Sequence, residues 1–425
     1  MSPTFRSLRV RNYRLFASGQ IVSNTGTWMQ RVAQDWLVLQ LSNNSAVALG
    51  ITTGLQFLPM LVFGLWGGLL ADRYPKRRLL LITQTGMGLQ AILLGVLAIT
   101  HMASVWHVFA LAAVLGLFTA VDNPARQSFV IEMVGSDDLP NAVGLNSATF
   151  HAARVVGPAI AGLMINLIGT GPVFLVNGAS YLAVLAGLYA MRESELRPSD
   201  RVTRGRGQLM EGLRYVRARR ELLLPMVIVG FVGTFGMNFQ MTMALMAKSV
   251  FGRGAGSYGL LGTALAVGSL AGALASASRT RPSRRLLVGA AVAFGLLEVV
   301  CGLMPSYTTF MILLVPTGLV LITLMTTANS TVQMAAGSRM RGRVMALYMT
   351  VLMGGTAFGA PMIGWLAHAA GPRWGLLGGG LICIVATAVA TLALVGRPRR
   401  VRFGAVPSAR EELAADNAYD EARSA

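Results

Sequence analysis

The stretch "GGLLADRYPKRRLLL" (residues 67–81) decides how the rest of this chain is read. Its charges, Asp72, Arg73, Lys76, Arg77 and Arg78, crowd into the middle, and on either side the chain turns apolar. Each flanking run is roughly 20 to 27 residues long, which at about 1.5 Å rise per residue matches the hydrocarbon thickness of a bilayer. A compact charged cluster between two such runs reads as a short loop at a membrane surface.

The same alternation continues in both directions. Spans are expected at about 15–41, 46–71, 79–100, 104–122, 143–168 and 172–191, and again at 223–250, 256–278, 286–304, 308–329, 343–369 and 374–396. The chain is 54% hydrophobic and only 12% charged, where soluble domains run near a quarter charged. The expectation is an all-α polytopic membrane protein with twelve transmembrane helices. It divides into an N-terminal tail (1–14), a first six-helix bundle (15–191), a central loop (192–222), a second bundle (223–396) and a disordered tail (397–425).

Charge placement orients it. Of 36 Lys+Arg, only Lys248, Arg253 and Arg373 fall in loops on the far side, and Arg31 and Arg154 lie inside spans. The remainder collect in segments on the side of the N-terminus, so both termini are expected in the cytoplasm of a cell-membrane protein. The net charge of +19 therefore follows membrane topology. No basic patch interleaved with aromatics points to nucleic acid. Cys301 and Cys383 both sit in apolar runs, so neither a disulfide framework nor a metal site is expected. No cofactor motif is present, and a monomer in the lipid bilayer is the expectation.

The two halves resemble each other. "GGLLADRYPKRRLLL" corresponds to "AGALASASRTRPSRRLLV" (271–288), and "GPAIAG" (157–162) to "GAPMIG" (359–364). Gly26 and Gln30 likewise correspond to Gly236 and Gln240. Two pseudo-symmetric six-helix bundles of this kind rock around a site near the membrane midplane in secondary transporters.

Residues 67–81 also carry a family resemblance. Gly68, Leu70, Ala71, Asp72 and Arg73 fit the G-x-L-A-D-R-x-G-R-K signature of the major facilitator superfamily; Pro75 replaces a glycine, and Lys76 and Arg77 supply the basic pair. The resemblance implies a conformational gate. Asp72 would meet the inner end of the eleventh helix near residues 342–347, and a basic residue would pair with an acid at the inner end of the fourth, where Asp122 stands. "ARVVGPAIAG" (153–162) resembles the motif of proton-driven antiporters through Gly157, Pro158 and Gly162, with alanines replacing two glycines. Residues 122–162 and 326–367 look like the bacterial branch of enterobactin exporters and macrolide or multidrug efflux proteins. That branch implies proton-driven export of a small molecule.

Ionisable residues inside spans are costly and usually face a bundle interior or a water-filled cavity. In the first span Asn24, Trp28, Arg31 and Asp35 recur at helical spacing on one face, and Gln34 widens it. Arg31 falls about 4 Å from the span's midpoint, with Asp35 roughly 6 Å beyond. Their four-residue spacing lets them pair, yet the polar stripe favours a substrate cavity. Arg154, with His151 nearby, is expected to face the same cavity, as are Asn238 and Gln240 of the seventh span. Asp35 is the expected proton carrier. Glu298 is a second candidate, placed by the resemblance on a helix toward the outside of the bundle. The methionines of spans seven and ten suit a permissive pocket or ordinary filling. An importer or facilitator, and a non-transporting membrane sensor, remain open. A nucleotide-binding loop or catalytic constellation is missing from the sequence, so an enzyme is not expected.

Overall fold

A computed structural model describes residues 3–197, 208–277 and 282–395; the expected C-terminal tail and part of the expected central loop lie outside these. The chain is helical from end to end, with no strand among the described residues. Helices α1 (Arg11–Leu41), α2 (Ala46–Arg73), α3 (Lys76–Ile99), α4 (Val105–Ile168) and α5 (Thr170–Tyr189) form the first half. After α6 (Gln208–Ala218) the second half contains α7 (Arg220–Phe231), α8 (Phe239–Leu245), α9 (Ala255–Ala277), α10 (Arg284–Leu303), α11 (Tyr307–Ala335), α12 (Ser338–Ala370) and α13 (Trp374–Val395).

Among the described residues, ten helical stretches are long and apolar enough to cross a membrane. α1 is not among them, because its polar face dilutes the apolar one. α4, counted once, spans 64 residues and is broken at Gly135, whose φ of 75° only glycine adopts at little cost. The stretch between expected spans four and five is thus not a loop. The first arm of α4 runs on past Asp122 to Val134 and turns back at Gly135. Two other segments at this end carry structure. Residues of the expected N-terminal tail are ordered: Pro3–Arg9 form a short 3-10 turn, where Arg6 pairs with Asp138 and Ser7 bonds Asn141. The expected central loop carries α6, whose Glu211 meets Arg343 of α12 at 2.5 Å.

The seventh span is discontinuous. Between α7 and α8 the backbone widens into a π-type turn at Val232–Gly236, and a second such turn, Met246–Val250, follows α8. Gly233 and Gly236 remove side chains here, and Thr234 Oγ1 bonds back to the Gly230 carbonyl at 2.7 Å. α12 presses on the turn, since Gly355 and Gly359 leave no room for a Cβ against Thr234. Such insertions into the helical ladder recur at functional sites.

The halves join along two seams, α2 with α12 and α4 with α9. Each seam is lined by glycines. In the first, Gly50, Gly54 and Gly364 admit the backbones of Ala360, Ala357 and Ala46. In the second, Gly162 and Gly259 do the same for Ala255 and Pro158, and Thr263 Oγ1 reaches the Val155 carbonyl at 3.0 Å. Backbones this close are what small residues permit in membrane proteins. These contacts run from mid-height toward the end remote from the arginine clusters. Nearer the arginine-rich end Gly144 of α4 meets nothing within 4 Å. Among the described residues, the tightest glycine contacts between the halves thus lie toward the far end, which they close.

Candidate functional site

Between the halves lies a cavity of about 500 Å³, within the size range of small-molecule pockets. One wall is α1. Four-residue and three-residue spacing brings Asn24, Trp28, Arg31 and Gln34 onto it together. The second arm of α4 adds Phe150, Arg154 and Pro158; the discontinuous seventh span adds Asn238 and Gln240. These expected residues do converge.

Trp28 is the centre of the polar wall. The Arg31 guanidinium lies 4.9 Å from its ring centroid and that of Arg154 lies 5.6 Å from it. Phe150 meets the same indole edge-on at 5.7 Å. Gly157 makes this possible, because a side chain there would collide with Trp28 and hold α4 away from α1. Two cations thus share one aromatic partner. Among the described residues neither guanidinium has a hydrogen bond or an ion pair. Gln34, one turn above Arg31, is fully buried, and both its side-chain polar atoms lack a partner.

Asp35 does not line the cavity and does not pair with Arg31. It lies behind the wall, where its carboxylate accepts a 2.6 Å hydrogen bond from the Tyr258 hydroxyl of α9. Tyr258 also reaches the Gln240 carbonyl at 3.1 Å and stacks on Trp36, over whose ring the Lys248 ammonium lies at 5.1 Å. This cluster ties the first half to the second at the closed end. The i,i+4 ion pair is missing because Arg31 turns to Trp28 and Asp35 to Tyr258.

His151 is displaced as well. It follows Phe150, and successive helical residues point about 100° apart, so with Phe150 turned to Trp28 the imidazole leaves the wall. Glu298 is neither lipid-facing nor in the cavity. It is buried between α10 and α13, where Gly379 makes room for it, and its Oε2 has no partner.

At the basic end the expected gate is wired differently. Asp122 bonds Thr83 (2.8 Å) and Gln84 (2.7 Å) and pairs with Arg126 four residues on (2.7 Å), instead of with the 67–81 cluster. Lys76 instead meets Glu132 at 2.6 Å, an acid that comes within reach because α4 continues past Asp122. Arg77 pairs with Glu193 at 2.7 Å and also bonds the Leu188 carbonyl. Asp72 and Arg73 close α2, and Gly68 is buried beside Gly67, which lets α2 touch α4 at Ala120.

Sequence reasoning missed several wall residues. Arg126, Asn123, Gln84, Tyr181 and Tyr258 all face the cavity. The i,i+4 spacing of Asp122 and Arg126 was a usable signal; Tyr258, 223 residues from Asp35, offered none. The apolar lining is rich in methionine: Met60, Met87, Met237, Met241, Met243 and Met353. The seventh span supplies three of these and the tenth supplies none.

Family comparison fits this geometry. Residues 2–405 match the transmembrane secretion effector family, MFS_3. The chain belongs to that family. Its relatives are transporters of the major facilitator superfamily. The multidrug efflux pump Tap of Mycolicibacterium fortuitum is 28% identical over 84% of this chain and 89% of its own length. The enterobactin exporter EntS of Citrobacter koseri is 24% identical over 86% and 87%. The staphyloferrin A transporter of Staphylococcus aureus is 32% identical over a shorter stretch, 40% of this chain and 44% of its own. Among solved structures, a bacterial homologue of the human lysosomal transporter Spinster, inward-facing and unoccupied, superposes with a TM-score of 0.73. It is 16% identical and covers 93% of this chain and 98% of its own. The nucleoside transporter NupG superposes at 0.70 with 10% identity, over 91% and 100%. The chain is therefore a multi-pass membrane transporter of small molecules with the major facilitator fold, and not an enzyme.

Proposed function

We propose that this transporter exports a small organic molecule across the cell membrane in exchange for protons, by alternating access. In this reading α1 and the two arms of α4 each cross the bilayer, giving twelve crossings in two six-helix bundles. The basic end and both termini are cytoplasmic, and a monomer suffices. Residues 67–81, with Asp72, Lys76 and Arg77, act as the cytoplasmic gate.

The observation that carries the reading is the Asp35–Tyr258 bond at 2.6 Å, which joins the halves at the closed end behind the cavity wall. With the ionised carboxylate as acceptor, the bond belongs to the stronger class of hydrogen bonds. A proton and the Tyr258 hydroxyl compete for the same carboxylate. When the halves part at the far end, Tyr258 withdraws with α9 and Asp35 is open to a proton from outside. When they close, Tyr258 returns and the proton leaves toward the cytoplasm. The binding wall, Trp28, Arg31 and Arg154, lies alongside, so one movement serves cargo and proton.

Inside-out vesicles test this with a fluorescent efflux substrate and an imposed pH gradient, acidic inside. Uptake should follow the gradient and collapse with a protonophore. Asp35→Asn should still bind dye yet lose the gradient-driven component. Gradient-independent uptake by the natural chain, or undiminished coupling in Asp35→Asn, overturns the proposal. Flux into right-side-out vesicles under an inward proton gradient would instead mark an importer.

A further inference from the structure

We propose that the cavity selects an amphiphilic organic anion, gripped by Arg31 and Arg154 beside Trp28. This deepens the transport reading and rests on it for its biological meaning, although the binding itself does not depend on transport.

Charge accounting leads there. Three arginines line the cavity, Arg31, Arg126 and Arg154, and among the described lining residues there is no carboxylate. Arg126 is satisfied by Asp122 at 2.7 Å and by Gln20 at 3.1 Å. Asp35, behind the wall, is engaged by Tyr258. Even with both carboxylates ionised, one positive charge is unbalanced, and the guanidinium donors of Arg31 and Arg154 are open. Two like charges beside one indole in a low-dielectric setting repel unless an anion lies between or beside them. A planar guanidinium presents its donors as a fork suited to carboxylate, sulfonate or phosphate oxygens.

A second observation points to a ligand independently. Gln34 is fully buried with both Oε1 and Nε2 unpartnered, and it lies on the same wall three residues from Arg31. A buried amide without partners is expensive to leave so. A ligand carrying both an anionic head and a neighbouring polar group satisfies the guanidinium pair and Gln34 at once. Across the cavity the wall is thioether and aromatic: Met237, Met241 and Met243 stand with Phe57 and Phe239. That surface suits an apolar body of variable shape. A cation, the other common cargo chemistry, meets two guanidiniums beside Trp28 and no carboxylate among the described lining residues.

The test uses the full chain in phosphatidylcholine nanodiscs and fluorescence polarisation of dyes matched in size. Carboxyfluorescein and a naphthalene sulfonate are the anions, and rhodamine 6G is the cation. At least one anion should bind, more weakly as salt rises. Arg31→Gln and Arg154→Gln should each weaken it about tenfold, with little left in the double variant. Arg→Lys at both positions should restore part of the affinity and certify the fold. Tighter binding of rhodamine 6G than of either anion overturns the proposal, as does anion binding unchanged in the double Gln variant. A further arm replaces part of the lipid with phosphatidylglycerol. If that competes with the dye, the anion recognised is a lipid phosphate; if not, it is a soluble solute. Dye binding with these signatures but no flux in vesicles would reject the transport reading and leave the anion site standing.

Discussion

At the scale of single residues, Tyr258 and Asp35 divide the labour that α1 alone was expected to perform. Removing the hydroxyl takes away the hydrogen bond by which α9 holds the carboxylate. Tyr258→Phe should shift the balance of conformations by about 1.5–3 kcal/mol, or roughly tenfold to a hundredfold, away from the state closed at the far end. Its readout is a fall in gradient-driven uptake with dye binding retained; a variant coupled like the natural chain would remove Tyr258 from the mechanism. Glu298 is the contrasting case. It lies between α10 and α13 and outside the cavity wall, so Glu298→Gln, which keeps its shape, should leave coupling and dye affinity unchanged in the vesicle assay. A loss of coupling would restore it as a proton site. The polar face of α1 was legible because charges in an apolar run stand out and their spacing is set by the helix. The partner of Asp35 was not, because a tyrosine 223 residues away carries no local mark. His151 was misplaced for a related reason: one residue of register decides whether a side chain faces the cavity, and periodicity alone does not resolve that.

Among the elements, apolar length located the helices well and their interruptions poorly. Gly135 breaks α4, but nothing in the run around it separates this glycine from those that pack inside helices. The widened turn at Val232–Gly236 likewise packs against Gly355 and Gly359 of α12, a tertiary contact invisible along the chain. The two glycine seams give a direct prediction. At Gly259 a Cβ would collide with the Pro158 carbonyl, and the backbone there belongs to another helix that cannot simply turn aside. Gly259→Leu should hold α4 and α9 apart and abolish uptake in the vesicle assay, while the protein still reaches the membrane in normal amount. Gly144→Leu, on the open side of the same helix where nothing lies within 4 Å, should be tolerated. Equal loss from both substitutions would show that the seam is not special.

At the scale of the whole molecule, the structure is one conformation of a machine read as having two. Cysteine pairs provide a test, with Cys301 and Cys383 first replaced by serine. A pair at Ala46 and Gly364, where backbones touch at the far end, should cross-link readily at rest. Yield should fall when a pH gradient, acidic outside, is imposed. Cross-linking that ignores the gradient would mean that this seam does not open during turnover.

The polar face of α1 bears on how the protein is made. α1 falls below the apolarity of the ten helices able to enter a bilayer by composition. Its Gln30 is satisfied by Gln90 of α3 and by Asn177 of α5, the latter 147 residues downstream. At a translation rate of about 5–20 residues per second, the ribosome needs roughly 7–30 s to deliver that partner. During that interval α1, which is not among the helices apolar enough to enter a bilayer by composition, lacks that partner. The expected consequence is a first-half bundle that settles α1 in lipid only once α3 and α5 are there to meet Gln30.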